Sequence, residues 1–396
     1  MTARRFRIPV TAPVTAPSWF TSAAYGEWFV VPGTTTGTIA AAGGSVQVVA
    51  SYSGAALDQN RKTMVISMSG GHSDIPTLGT CVWELDFRNT TCAWQRMITG
   101  STAAVHPDDY GMYNSLQRRI DGMPQTAHLY GKTVCDGAGR VWMFHHGGQG
   151  NPVYGSTVNW YWDRNLLSNG LQGYVCTGVS APTWNEPNSS SPECFATYDR
   201  VTDRIYFHSR TYLAGLGNRV GYWIAPSDPT TINALTTTNA SHPGSHCAQA
   251  IAGKGVVVGV TNDGLENIVK DRVWALNQAT GAYTFPSVTG SFPVYTKGMG
   301  FAALPSGNGG NGVIYAQGIG KNVHRLTLPS DPFAASGYAW SEYAPVGGVT
   351  PTNGQVTGTN GRFNLIEDMG NGEPMLVMVN STTEPVYAMR MPAGGI

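Results

Sequence analysis

The sequence predicts an all-β protein: six four-stranded sheets arranged as the blades of a closed β-propeller, with an extended arm at the N-terminus. Three observations predict it. The 396 residues include 50 glycines and 24 prolines and only 12% charged residues, where a soluble domain usually has about 25%; that mix favours short strands and tight turns over long surface helices. The stretch Tyr52 to Met97 contains four β-prone runs separated by turn signals, which is one blade. Looser copies of it follow: second-strand positions fall near Met68, Phe144, Phe207, Val258, Ala316 and Val377, roughly 50 to 76 residues apart.

In the first unit, small residues Ser53 to Ala56 and a polar turn at Asp58 to Arg61 lead into the apolar run Met64 to Met68, which stops at Gly70-Gly71. After His72-Ser73-Asp74 comes the run Cys81-Val82-Trp83-Glu84-Leu85-Asp86, a turn at Arg88 to Thr91, and Trp94 in the outermost strand. The second unit carries a turn at Gly137 to Gly139, a strand ending at Phe144, His145-His146-Gly147-Gly148 in the diglycine place, and Val158 to Asp163. The third has Phe195 to Asp199, Arg204 to Ser209 and a strand near Val220 to Ile224. The fourth has Val256 to Val260 and a Trp274-bearing run that restates the first. The fifth has Gly312 to Gln317, Val323 to Leu326 and Trp340, and the sixth Pro374 to Asn380 and Pro385 to Met391.

The last unit lacks an outer strand, while a β-prone run around Trp28 or Val46 is spare, so the N-terminal strand is expected to complete the last blade and leave no free edge. A count of seven blades follows instead if the long insert, about 99–125, holds one. Domain boundaries are read as an arm over 1–24 and a single propeller over 25–396. The arm, rich in Pro, Thr and Ala, is either a disordered tail or a strap for a neighbouring subunit.

The first unit resembles a kelch repeat, in the broad sense that includes the galactose-oxidase-like propellers. Gly70-Gly71, Trp83 with Asp86 three residues on, and Trp94 carry the resemblance. It implies glycines that let the backbone turn near the propeller axis and aromatics packed between blades. The repeat-structural residues are thus Gly70, Gly71, Trp83, Asp86, Trp94, Gly147, Gly148 and Trp274. With His-Ser-Asp after the diglycine, low charge and a Pro/Thr arm, the chain is similar to kelch-type propellers of tailed bacteriophages. That implies a non-enzymatic structural or docking protein of the virion tail (nozzle, hub or host-attachment component), forming a homo-oligomeric ring with other tail subunits and made in the host cytoplasm.

The alternative is a carbohydrate-binding or carbohydrate-active propeller, with a host-surface glycan at the channel mouth. Its candidate ligand residues are His72, Asp74, His145, His146 and His246. Histidines from different blades at one end could hold a metal; equally, they could hydrogen-bond nearby backbone, and nothing in their spacing fixes a metal. No segment reproduces the copper ligands of galactose-oxidase-like enzymes, and no cofactor is expected. Of the consecutive Trp160, Tyr161 and Trp162, alternation sends residues to opposite faces so that at least one ring should leave the core, to stack on a sugar or pack on another subunit; the alternative is that all pack between blades.

Net charge is zero, which gives no electrostatic case for nucleic acid. Arg4-Arg5-Phe6-Arg7 is followed by Pro9, Pro13 and Pro17, so no apolar signal core forms, and no run is long enough to span a membrane. Six cysteines lack any C-x-x-C pair. If 88–91 is a turn, Cys81 lies opposite Ile98 and Phe87 opposite Cys92, so the first two cysteines cannot meet, and free buried thiols are expected.

Overall fold

The computed structural model describes residues 15–50, 54–68, 78–104, 118–124, 129, 131–144, 158–180, 195–208, 222–235, 248–260, 272–291, 299–317, 320–352 and 359–396. A short helix α1 (Ser18–Thr21) precedes β1 (Trp28–Val30), and α2 (Gln47–Ala50) follows it. The first blade is β2 (Ala56–Asp58), β3 (Thr63–Ser67), β4 (Val82–Asp86) and β5 (Gln95–Arg96). The second is β6 (Thr133–Cys135), β7 (Val141–Phe144), β8 (Val158–Trp162) and β9 (Tyr174–Ser180); the third is β10 (Phe195–Asp199), β11 (Arg204–His208), β12 (Tyr222–Ala225) and β13 (Asp228–Ala234). The fourth blade is β14 (Ala248–Ile251), β15 (Val256–Val260), β16 (Val273–Asn277) and β17 (Tyr283–Thr284). Next come β18 (Val288–Thr289) and the fifth blade, β19 (Phe301–Leu304), β20 (Val313–Gln317), β21 (Val323–Thr327) and β22 (Tyr338–Tyr343). The sixth is β23 (Phe363–Ile366), β24 (Met375–Met378) and β25 (Tyr387–Arg390).

Each blade is an antiparallel meander, and the first strands of successive blades touch in a closed circle. The protein is therefore a six-bladed β-propeller. The sixth blade is finished by β1, which pairs antiparallel with β25, Phe29 facing Ala388. Of the two spare N-terminal runs, the Trp28 run is the closing strand. The other, around Val46, is the helix α2: Val48 and Val49 are buried against the sixth and first blades, so packing rather than strand pairing fixes their conformation.

Arg390 latches the N-terminal segment. Its Nε donates to Glu373 at 2.8 Å, its Nη1 to the carbonyls of Thr21 and Ala23, and its Nη2 to the Tyr25 hydroxyl at 3.0 Å, while its guanidinium lies over the Tyr25 ring. Farther out, Phe20 is buried and Trp19 Nε1 donates to Asn89 O of the first blade.

Among the described residues the buried apolar side chains fall into six clusters, one per junction between neighbouring blades, and each contains a tryptophan. Trp83 lies between the sixth and first blades, Trp160 and Trp162 between the first and second, and Trp142 between the second and third. Trp274, Trp340 and Trp28 continue the ring. Burial of a side chain this size contributes several kcal/mol, and a ring of such junctions holds blades that have no other shared core. At the third–fourth junction the neighbouring strand must be bare: a Cβ on Gly259 would fall 2.1 Å from the Trp274 ring.

The hairpin register expected for Cys81 is observed, since Trp83 pairs with Arg96 and places Cys81 across from Ile98. Cys81, Cys92 and Cys135 are buried free thiols, and Cys176 is free and half-buried. Trp94 is buried just before β5 rather than in it. Trp160 and Trp162 face one junction and Tyr161 the other, where it packs 4.9 Å from Trp142, so the aromatic run serves blade packing. The sequence reading expects four strands to a blade and names no run for several that the structure shows, among them β9, β13, β14, β19 and β23; β18 is a fifth strand beyond that expectation, running parallel to β22 and covering the outer edge of the fifth blade.

Candidate functional site

The two ends of the ring differ in a way that follows from the turns. At one end, first strands turn into second strands and third into fourth. There, short acidic or amide side chains close the turn on their own backbone. Asp58 Oδ1 accepts from the N–H groups of Asn60 and Arg61 at 2.9 and 3.0 Å, Asp136 Oδ1 from Ala138 and Arg140 at 2.9 and 3.0 Å, and Asp199 Oδ1 from Val201 at 2.9 Å. Asp368 does the same for Gly370 and Gly372, as do Asp86, Asp163 and Asn277 at the third-strand turns. This is the turn end.

At the other end, second strands pass to third strands and each blade passes to the next. Most of these connections are long, the exceptions being the five residues between β20 and β21 and the eight between β24 and β25. His72 and Asp74 belong to the connection between β3 and β4, His145 and His146 to that between β7 and β8, and His246 to that between β13 and β14. All three connections begin and end at the same end of the ring. The residues themselves, with Gly70, Gly71, Gly147 and Gly148, lie outside the described residues. Of the repeat-structural residues that are described, Trp83, Trp94 and Trp274 are buried and Asp86 closes its turn.

The base of the 99–125 insert is anchored. Ile120 N donates to Ala104 O at 2.9 Å, buried Arg119 donates to Ala103 O at 2.7 Å, and Ser101 and Asp121 are hydrogen-bonded to each other. The two ends of the excursion carrying His106 to Tyr110 are thereby held side by side.

Along the axis runs a cavity of about 190 Å³, lined by the first strands of all six blades. Much of its wall is small, with Ala56, Ala196, Ala250 and Ala303 among the lining residues. Each first strand has a strand partner within its blade on one side only, so its inner edge needs partners; β10 takes one from backbone, Ala196 N–H donating to Gly131 O at 2.9 Å. Side chains of neighbouring blades supply others. Thr197 Oγ1 accepts from Ala250 N–H at 2.8 Å, Gln249 Nε2 donates to Phe301 O at 2.9 Å, and Gln59 both donates to Leu365 O at 2.6 Å and accepts from Glu367 N–H at 3.1 Å. Asn60 Nδ2 donates to Gly137 O at 2.9 Å. These polar groups of the channel are engaged in holding the ring.

Charged residues meet at the turn end of the channel: Arg200, just past β10, pairs with Glu367, just past β23, at 2.6 Å. Burial pushes the Glu367 carboxyl up, against the downward pull of Arg200 and Lys62. Sequence reasoning did not single out this pair, because the two residues meet only once the ring order is known. Among the described residues no three His, Cys, Asp or Glu side chains gather in a way that could hold a metal ion.

No protein-family model matches the sequence, and no curated protein does. Solved structures do match in fold. The major allergen Mala s 1 of Malassezia sympodialis is 9% identical, with 94% of this chain and 98% of that one covered and a TM-score of 0.47. The α-L-arabinanase of Penicillium chrysogenum complexed with arabinobiose is 11% identical, with 94% and 99% covered and a TM-score of 0.50. A fungal alcohol oxidase of the AA5 family, in complex with copper, is 10% identical, with 86% and 62% covered and a TM-score of 0.41. At these identities the likeness concerns the fold alone.

Proposed function

We propose that this chain is a non-enzymatic docking propeller of a bacteriophage tail, a rigid spacer that assembles with copies of itself and other virion subunits through the end bearing the long connections. One observation carries the reading: the ring is built unevenly. The turn end is closed by side chains bonded to their own backbone, while the connections with length to spare, including the anchored insert, all leave from the other end. Long surface connections on a rigid frame are where proteins place recognition. The kelch-like first repeat and the low charge of the chain agree with this assignment.

The test is light scattering with negative-stain imaging of the full chain and of a variant in which residues 105–117 are replaced by a short Gly-Ser bridge across the anchored base. The expected outcome is a ring of subunits for the parent and monomers for the variant. Rings formed equally well by both would contradict the reading.

A second reading has its own observation: the axial cavity adjoins the blades whose connections hold His72, His146 and His246. On that reading the chain takes a glycan at the channel mouth, as a carbohydrate-binding or carbohydrate-active propeller. Glycan binding that is lost on His72→Ala, His146→Ala and His246→Ala, with subunit association unchanged, would favour it over the first.

A further inference from the structure

We propose that the Arg200–Glu367 pair is a tie across the propeller axis that bars the turn end of the channel and is released by acid. In the ring, the third and sixth blades stand opposite one another, three blades apart in either direction. Arg200 belongs to the third and Glu367 to the sixth, and both line the axial cavity. Side chains from opposite blades that meet at 2.6 Å must do so across the axis. Arg200 is half exposed and Glu367 mostly buried, so the pair stands between the cavity and solvent at that end.

The position of Glu367 is held from a third direction. Its own N–H donates to Gln59 Oε1 of the first blade at 3.1 Å, and Gln59 Nε2 donates to Leu365 O at 2.6 Å. The tie therefore joins the first, third and sixth blades at one level of the channel.

The charged groups around the carboxylate are Arg200 from the third blade and Lys62 from the first. Asp368 and Asp58 in turn face Lys62. No histidine takes part among the described residues, and Asp368 is held below the usual carboxylate range by the backbone N–H groups of its turn, despite partial burial. With Glu367 held up and its neighbour Asp368 held down, Glu367 takes up its proton before Asp368 on acidification. A carboxyl held above its unfolded value takes up a proton more readily in the fold, so its protonation favours the folded state. Acid thus removes the anionic half of the tie, and this titration by itself costs the propeller no stability.

The experiment is a double-mutant cycle on the full chain, with Arg200→Met, Glu367→Gln and the double variant unfolded by urea at about pH 7.5 and about pH 4. At the higher pH the two substitutions should be non-additive by about tenfold in the unfolding equilibrium, and at the lower pH additive. Additive effects at the higher pH would overturn the tie, and a coupling that persists unchanged in acid would overturn its release. Should Glu367→Gln fail to fold, a carboxyl carbon NMR titration gives the second reading. In Arg200→Met, which alters the half-exposed partner, the Glu367 titration must move upward from its parent position, and an unmoved titration would overturn the proposal.

Discussion

A single buried carboxylate, Asp136, holds together the first turn of the second blade. Its Oδ1 closes the turn on Ala138 and Arg140, and its Oδ2 accepts from Arg140 Nε at 2.7 Å and from the Trp142 indole at 2.8 Å. Arg140 then reaches Pro226 O of the third blade at 2.8 Å. Removing the carboxylate would strand a guanidinium and an indole N–H in a dry junction, so Asp136→Ala should lower stability by about 3–5 kcal/mol in urea denaturation. Arg88→Ala, which breaks a solvent-exposed pair with Asp86, should cost no more than about 1 kcal/mol. The thiols offer another residue-scale check. Burial pushes the Cys92 thiol up to about 12 and raises Cys81 and Cys135 as well. Since the thiolate is the reactive form, peptide-mapped alkylation of the native protein at about pH 8 should modify Cys176 well before these three. Modification of Cys92 at a comparable rate would contradict the junction packing described.

The element on which ring closure depends is β1, the strand that comes from the far end of the chain. Its latch is electrostatic: the Arg390 guanidinium, through its hydrogen bond, holds the Glu373 carboxyl down at about 2, well below its ordinary value. A depressed carboxyl contributes stability that is present above its unfolded value near 4.3 and is lost as pH falls toward the folded value. The pair is partly open to solvent, so screening reduces the size of this contribution. The protection of amides across residues 15–30, measured relative to the intrinsic exchange rate at each pH, should therefore be unchanged down to about pH 4.5 and fall below it. Arg390→Ala should accelerate the same segment at neutral pH, with a stability loss of roughly 2–3 kcal/mol. Rapid exchange spread evenly over all blades would show that the latch is not local.

At the element scale the sequence was legible where one side of the physics dominates. Val256 to Val260 and Met64 to Met68 read as strands because their residues are apolar, β-prone and bounded by turns, and both sit in buried second strands. The closing strand could be inferred because the last blade was one strand short. The run at Val46 was misread because Val48-Val49 has the composition of a strand, whereas its conformation is set by two blades packing around it. Pro286 to Gly290 is too short a run to signal β18, which is held by its parallel pairing with β22, by Ser287 N–H donating to Ala335 O at 2.8 Å and by Val288 packing on the neighbouring cluster. The candidate ligand residues were read as residue types and lie outside the described residues; strand order fixes only that the connections carrying them begin and end at one end of the ring. Arg200 and Glu367 carry no local signal at all, since a contact across the axis exists only after six blades have closed.

The whole molecule is one ring with two unlike ends: one closed by its own turns and, on the proposal above, tied across the axis, the other carrying every connection longer than 11 residues. No helix among the described residues is long and apolar enough to cross a bilayer. The most direct measurement is amide hydrogen exchange on the full chain, followed by mass spectrometry across a dilution series spanning the concentrations over which the proposed ring of subunits would dissociate. The account predicts concentration-dependent protection in peptides spanning 69–77, 105–117, 145–157 and 236–247, and none at the turns 86–91, 163–173 and 277–281. Protection that falls on those turns instead, or exchange that is independent of concentration everywhere, would contradict it.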